Sequence, residues 1–404
     1  VTTHSILAPS DSERWLRCVG AVYLSKGIAP LDAEYNASGT CTHWLGEWAL
    51  THPALDLSSW LGKEMEFGES TRFKFIVDEE RLDRVRSYVT GVNREPGTLL
   101  VEQRLDTTPV LGVPNQEGHA DVVKLYPEGG VVHPEHGLLR GVISVHDLKD
   151  GHIMVRAKNN FQLMIYLCAA MMQYSLVGEF EAFRGVIHQP KLNHLDEWTY
   201  TRAELEAFME AIRPVAKLSY DLYYRNTAFD AELHLTAGET QCQWCPVRGR
   251  CPARANYIAS LFDPIITQHE INESTLGAIL RISGQVRAAL NDYEAEAERR
   301  ALSGAKIPGQ KLIEGRKGPR EWMAPEQAAS VMESVLGDAA YEPREPISPT
   351  QAERLLKRDA YRGLAATVGV KQTPARLRLV PEDDPHQEVK LSKFGNTENL
   401  EPLT

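Results

Sequence analysis

From Leu99 onward the apolar residues of this chain stop recurring every three or four positions and begin to alternate. That switch narrows the available folds more than any other feature. Before it, the spacing predicts helices over Asp11–Ser25, with Trp15, Leu16, Val19 and Val22 on one side, and over Thr42–Leu50. A third is predicted over Val77–Val92, with Leu82, Val85, Val89 and Val92 inward and Arg81, Arg84 and Arg86 outward. After the switch, Leu99–Leu105, Ala120–Leu125 and Gly141–Leu148 read as strands set apart by Gly- and Pro-rich turns. Gln162–Leu176 is then a strongly apolar helix, Phe183–His188 a fourth strand and Glu204–Tyr224 a long helix. That order fits an α/β domain in which helices flank a mixed central sheet.

A length of 404 residues suits one large domain and a smaller one. The expected division is 1–262, then a helical and basic α+β region over 263–380, then an acidic, disordered tail over 381–404. Within the second region Thr267–Leu302 reads as a charged helix, Lys306–Trp322 as a basic hairpin, and Pro325–Leu336 and Ser348–Thr367 as short amphipathic helices. The longest apolar stretch, Leu163–Met172, is far short of the ~20 residues that span a bilayer. Val1-Thr2-Thr3-His4 shows no secretory signal, so the expectation is a cytoplasmic protein without a membrane partner. No Gly-x-x-x-x-Gly-Lys-Ser/Thr loop is present, which argues against an ATPase. The net charge of −11 weighs only weakly against nucleic acid, because a local basic track can sit on an acidic whole.

Two short motifs carry chemistry. Gly118-His119-Ala120-Asp121 opens one strand, and Asp147-Leu148-Lys149 closes the next, where alternation puts Asp147 and Lys149 on one face. Two carboxylates can hold a hard cation such as Mg2+ or Mn2+. A lysine beside them can orient water or balance the charge of an attacked phosphate. Taken alone, Asp-x-Lys is more often an exposed ion pair at a strand end. Gln162 and Tyr166 share one helix face within an apolar segment, either as site residues or as satisfied core polar groups. His43 and Glu47 form a second i,i+4 pair, and Glu102 is a further acid on the preceding strand. Of six cysteines, Cys242, Cys245 and Cys251 cluster at a spacing that suits Zn2+ or a 4Fe–4S cluster equally. His133-Pro134-Glu135-His136 also offers two imidazoles, but Pro and Gly mark Tyr126–Leu138 as an exposed loop, and it is set aside as a metal site.

The motifs run in a fixed order: Gly39-Thr40-x-x-His43, Gly118-x-x-Asp121, Asp147-x-Lys149, Gln162-Leu163-x-x-Tyr166, then the cysteines. That order resembles the RecB/AddB-type nucleases of the PD-(D/E)XK superfamily, which include iron–sulfur CRISPR-associated nucleases and phage exonucleases. Ala8-Pro9-Ser10-x-Ser12-x-Arg14-Trp15-Leu16-x-Cys18 and Ile307-Pro308-Gly309-x-Lys311-Leu312-x-Glu314-Gly315-Arg316 resemble, more closely, a phage and prophage family of RecB-like proteins long described only as a domain of unknown function. The likeness covers roughly residues 5 to 380. It implies a PD-(D/E)XK core with a helical N-terminal part, and a metal held by His43, Asp121, Asp147 and the Leu148 carbonyl. Lys149 would act on the attacking water, with Gln162 and Tyr166 positioning the DNA backbone or the active-site loop.

The same resemblance makes Cys18 the fourth ligand beside Cys242, Cys245 and Cys251 and favours 4Fe–4S over zinc, as a structural clasp around the nuclease core. Its implied function is a Mg2+- or Mn2+-dependent deoxyribonuclease, an exonuclease with a 5′-to-3′ leaning, acting in recombination, replication or end resection in the bacterial host. A structure-specific endonuclease and a non-catalytic DNA- or partner-binding subunit are the alternatives. DNA is the expected partner, together with a phage recombinase or single-strand-binding protein, and a homo-oligomer is left open. Two departures stand out: Asp147 replaces a more usual Glu, and the Asp121-to-Asp147 interval is long. Basic residues for a phosphate track cluster at Arg248, Arg250 and Arg254, from Arg299 to Arg320, and from Arg354 to Arg362.

Overall fold

The alternating segments form one mixed sheet in the computed structural model, which describes residues 5–28, 34–68, 71–225, 227–263 and 272–311, with 360, 362, 363 and 366. The described chain runs α1 (Ser12–Arg17), α2 (Ala21–Leu24), α3 (Glu34–Thr51), β1 (Glu64–Phe67), β2 (Phe73–Ile76), α4 (Glu79–Asn93), β3 (Thr98–Asp106), α5 (Thr108–Leu111), β4 (Glu117–His133) and β5 (Gly137–Leu148). It continues through α6 (Phe161–Gln173), β6 (Ala182–Gln189), β7 (His194–Thr201), α7 (Arg202–Tyr224), α8 (Ala231–His234), α9 (Glu239–Gln243), α10 (Pro252–Ser260) and α11 (Glu273–Leu302).

The central sheet has the order β3-β4-β5-β6-β7 and is antiparallel except between β5 and β6. A parallel pair needs a crossover, and α6 supplies it. Asn160 caps this helix, its side chain accepting the Leu163 N–H at 3.1 Å. Leu163 through Met171 are all buried, so α6 is apolar on every side and sits between the sheet and α7. Thr201 and Glu204 close a capping box at the start of α7. On the opposite face of the sheet, Leu50 of α3 and Tyr88 and Val92 of α4 pack on Val122 and Leu148.

Several expectations change. The first helix is broken: Cys18 is extended, and the Gly20 N–H donates to His234 O at 2.8 Å. A side chain at Gly20 would lie 2.8 Å from the Phe229 ring, so a tertiary contact overrides the helical pattern there. α3 starts earlier than predicted, and the β1–β2 hairpin and β7 are additional elements. Arg81 points inward, donating to Ser38 O and Thr42 Oγ1. Tyr126–Leu138 is not an exposed loop. β4 and β5 extend into an arm paired from Gly130↔Arg140 to His133↔Gly137 beyond a bulge at Tyr126, and His133 is buried. The described part of Lys306–Trp322 contains no strand; Pro325–Leu336 and the acidic tail lie outside the described residues, and of Ser348–Thr367 only residues 360, 362, 363 and 366 are described, all helical. Among the described residues no helix is long and apolar enough to cross a membrane.

Candidate active site

The β4–β5 register places Val122 opposite His146, so Asp121 and Asp147 fall side by side one step further on. Asp121 Oδ2 accepts the Leu148 N–H at 2.7 Å, and Oδ1 lies 3.3 Å from His43 Nδ1 on α3. Lys149, just past β5, puts Nζ 2.9 Å from Asp147 Oδ2 and donates to Gln162 Oε1 at 3.0 Å. Gln162 Nε2 in turn donates to Asp147 Oδ1 at 2.9 Å. Aspartate, lysine and glutamine thus form a closed triangle, each fixing the rotamers of the other two.

Tyr166 sits one turn along α6 from Gln162 and is 3% exposed, so its ring belongs to the core rather than to the surface. A Cβ at Gly118 would come within 2.7 Å of its ring and 2.8 Å of Pro9, so only glycine lets the start of β4 seat on Tyr166. Tyr166 therefore packs against the Gly118 end of β4.

Beside the aspartates, a cavity is lined by His43, Glu47, Leu50, Tyr88, Glu102, Asp121 and Leu148. Glu102 has φ 46° where β3 skips a register step opposite Asp121, a conformation uncommon for a side chain of this kind. Four carboxylates therefore surround two basic groups. Burial and the neighbouring Asp121 and Glu47 push the Glu102 carboxyl up to about 7. Burial also raises Asp147, against the opposing pull of Lys149. Asp121 stays below its ordinary value: His43 and the Leu148 N–H outweigh its burial. Burial works against the charged form of His43, yet Asp121 and Asp147 lift it to about 9. Oxygen donors with one imidazole and surplus negative charge are a set that suits a hard divalent cation.

Sequence reasoning missed the buried groups behind the site. Asp150, 1% exposed at its side chain, meets Arg84 Nε at 3.0 Å and Lys191 Nζ at 3.2 Å, and accepts from Thr42 Oγ1 at 2.8 Å. It ties both ends of the site, the His43 helix and the Lys149 strand end. Its only sequence signal is adjacency to Lys149.

Cys18, Cys242, Cys245 and Cys251 line one small cavity between α2, α9 and the start of α10. Burial pushes the Cys245 thiol up to about 11 and raises Cys18 and Cys242 as well. Cys41 and Cys168 lie buried in other clusters. The arginines of the cysteine loop have partners within the chain. Arg248 and Arg254 both pair with Asp292 of α11, at 2.7 and 2.8 Å, and Arg250 donates to Leu24 O. Arg299 and Arg300 pair with Glu296. The basic residues from Arg316 to Arg358 lie outside the described residues.

The model of a family described as a protein of unknown function, DUF2800, matches residues 4–387. The chain belongs to the DUF2800 family. The match runs through the aspartates, the lysine and the cysteine cavity, so this site lies inside the DUF2800 region. Among solved structures, the crystal structure of SSO0001 aligns with 61% of this chain and 86% of its own, at 11% identity and a TM-score of 0.26. That likeness is too slight to transfer fold or function to DUF2800.

Proposed function

We propose that this chain is a divalent-metal-dependent deoxyribonuclease of the RecB-like PD-(D/E)XK kind, an exonuclease that degrades DNA from ends in recombination, replication or resection, with a 5′-to-3′ leaning. The observation that carries this reading is the Asp147–Lys149–Gln162 triangle set beside Asp121. His43, Asp121, Asp147 and the Leu148 carbonyl would hold Mg2+ or Mn2+. The ion supplies polarisation of the scissile phosphate and a lowered pKa for a bound water. Lys149, kept charged against its burial by Asp147 and Asp121, orients the attacking water and offsets the charge that grows on the phosphate. Gln162 holds Lys149 in place from the other side.

The four cysteines are read as ligands of a structural 4Fe–4S cluster, with Zn2+ as the alternative. With burial raising the thiols, thiolates at this site need the positive charge of bound metal. Broad visible absorbance in the purified protein, with iron and sulfide in equal amounts, supports the cluster; stoichiometric zinc without colour overturns it.

The test of the enzyme is incubation of linear and closed-circular duplex DNA with Mn2+, wild type beside Asp121→Ala and Lys149→Ala. Wild type should degrade the linear molecule and spare the circle, and both variants should be inactive while still folded. A circle that is opened indicates an endonuclease. Undiminished cleavage by Lys149→Ala removes the active-site assignment altogether.

A further inference from the structure

His133, His136 and Glu204 lie far from the aspartates, where the tip of the β4–β5 arm meets the first turn of α7. Each offers one donor atom, and the three donors lie within 4.8 Å of one another. His133 is 3% exposed, and its Nε2 is buried without a hydrogen-bond partner. Such an atom is costly to leave bare. Its ring is not free to turn away. Nδ1 accepts the N–H groups of Glu135 and His136 at 3.1 and 3.3 Å, and the ring packs edge-on to Trp198 at 6.5 Å. Without metal, Nε2 is thus held beside a second imidazole and a carboxylate, and burial with packing on Trp198 keeps the ring there once the Nδ1 hydrogen bonds are given up. Glu204 uses Oε2 for the capping box, accepting from the Thr201 N–H and Oγ1, which leaves Oε1 to turn towards an ion.

We propose that His133, His136 and Glu204 form a second metal site, selective for Zn2+ and similar borderline cations, which pins the tip of the β4–β5 arm to the start of α7. Two imidazole nitrogens and one carboxylate oxygen match zinc rather than magnesium, which prefers oxygen throughout. Ligands about 2.1 Å from one ion sit at most about 4.2 Å apart, so small rotations of the exposed His136 and Glu204 side chains bring all three donors to one ion, with water as the fourth ligand. His133 changes tautomer on binding: its single ring proton moves from Nε2 to Nδ1. The Glu135 and His136 N–H groups, at an exposed turn, then bond to water instead.

The test does not depend on the nuclease reading, since its readout is metal binding. Zn2+ is titrated calorimetrically into the full chain with its cysteine site already loaded, in an Asp121→Ala background that silences the aspartate cavity. His136→Ala and Glu204→Gln are compared with that parent; Gln at this position keeps the capping box. The parent should bind one Zn2+ that each variant binds at least ~10-fold more weakly. Zn2+ should also raise the melting temperature of the parent but not of His136→Ala. Equal stoichiometry and affinity in parent and both variants overturns the site. So does a parent that binds no Zn2+.

Discussion

His146 and Asp147 are consecutive in β5 and face opposite sides of the sheet, and the two clusters they enter are built on opposite principles. His146 Nε2 meets Glu95 Oε2 at 2.9 Å and its Nδ1 meets His188 Nε2 at 2.9 Å. Glu95 also accepts from Ser144 Oγ at 2.6 Å and pairs with Arg184, and Tyr88 packs edge-on against His188 at 5.1 Å. In that cluster one carboxylate has its guanidinium and the imidazoles have each other. Around Asp147 and Asp121 the charges do not close. Four carboxylates face one lysine and one histidine beside a cavity, and Glu102 is driven towards neutrality to live there. A closed polar cluster holds a fold together; one with surplus charge next to open space is set up to receive something.

The comparison breaks most visibly at the aspartate cluster. Asp121→Ala and Lys149→Ala should each lower DNA cleavage by roughly 100-fold or more, with melting behaviour little changed; initial rates on linear duplex measure it. Glu95→Ala should do the reverse. Leaving His146 without its carboxylate, and Arg184 with only the half-exposed Glu197 at 3.0 Å, costs about 3 kcal/mol in a denaturant titration, while the folded fraction keeps its rate. If Glu95→Ala abolished cleavage without loss of stability, the division between the two clusters would be wrong. Gly118→Ala links the two effects. Its Cβ collides with Tyr166 and Pro9, so about 1–3 kcal/mol should be lost together with part of the rate.

The aspartate cluster was more legible in the sequence than the closed one. Asp147 and Lys149 alternate on a strand, and Gln162 is a polar break in an apolar helix, so both carry a local signal of polarity in the wrong place. His146, Glu95 and His188 are ordinary polar residues from three separate elements, and only the register of β5 with β6 brings them together. β3, β4, β5 and α6 were legible from their periodicity. β7 was not, because its half-exposed pattern mixes charged and aromatic residues, as an edge strand can. The arm beyond Tyr126 was misread for a physical reason: Gly129, Gly130 and Pro134 are turn and bulge residues, and here they bend a ladder rather than end it. The break at Gly20 depends on His234 and Phe229, more than 200 residues away, and no local pattern reports such a contact.

The smallest expected effect tests the closed cluster by pH. Burial alone would raise the Glu95 carboxyl, but His146, Ser144 and Arg184 outweigh it and hold the group at about 2, against an ordinary 4.5. A carboxyl with a depressed folded pKa contributes its stability in full above the unfolded value and loses it as pH falls through the folded one. Glu95 should therefore add an acid-side slope between pH 4.5 and about 2. His188, held neutral by burial and by His146 down to about 3 from an ordinary 6.5, adds its own loss, which begins earlier, below pH 6.5. Glu95→Gln keeps the shape of the side chain and removes the lower titration, while burial and His146, the larger causes, still hold His188 neutral. Denaturant midpoints measured from pH 7 to pH 3 should fall together in both proteins until about pH 4.5 and then more steeply in the wild type. Parallel curves down to pH 3 would mean that Glu95 is not held ionised by its neighbours, and that the two faces of β5 differ less than their geometry indicates.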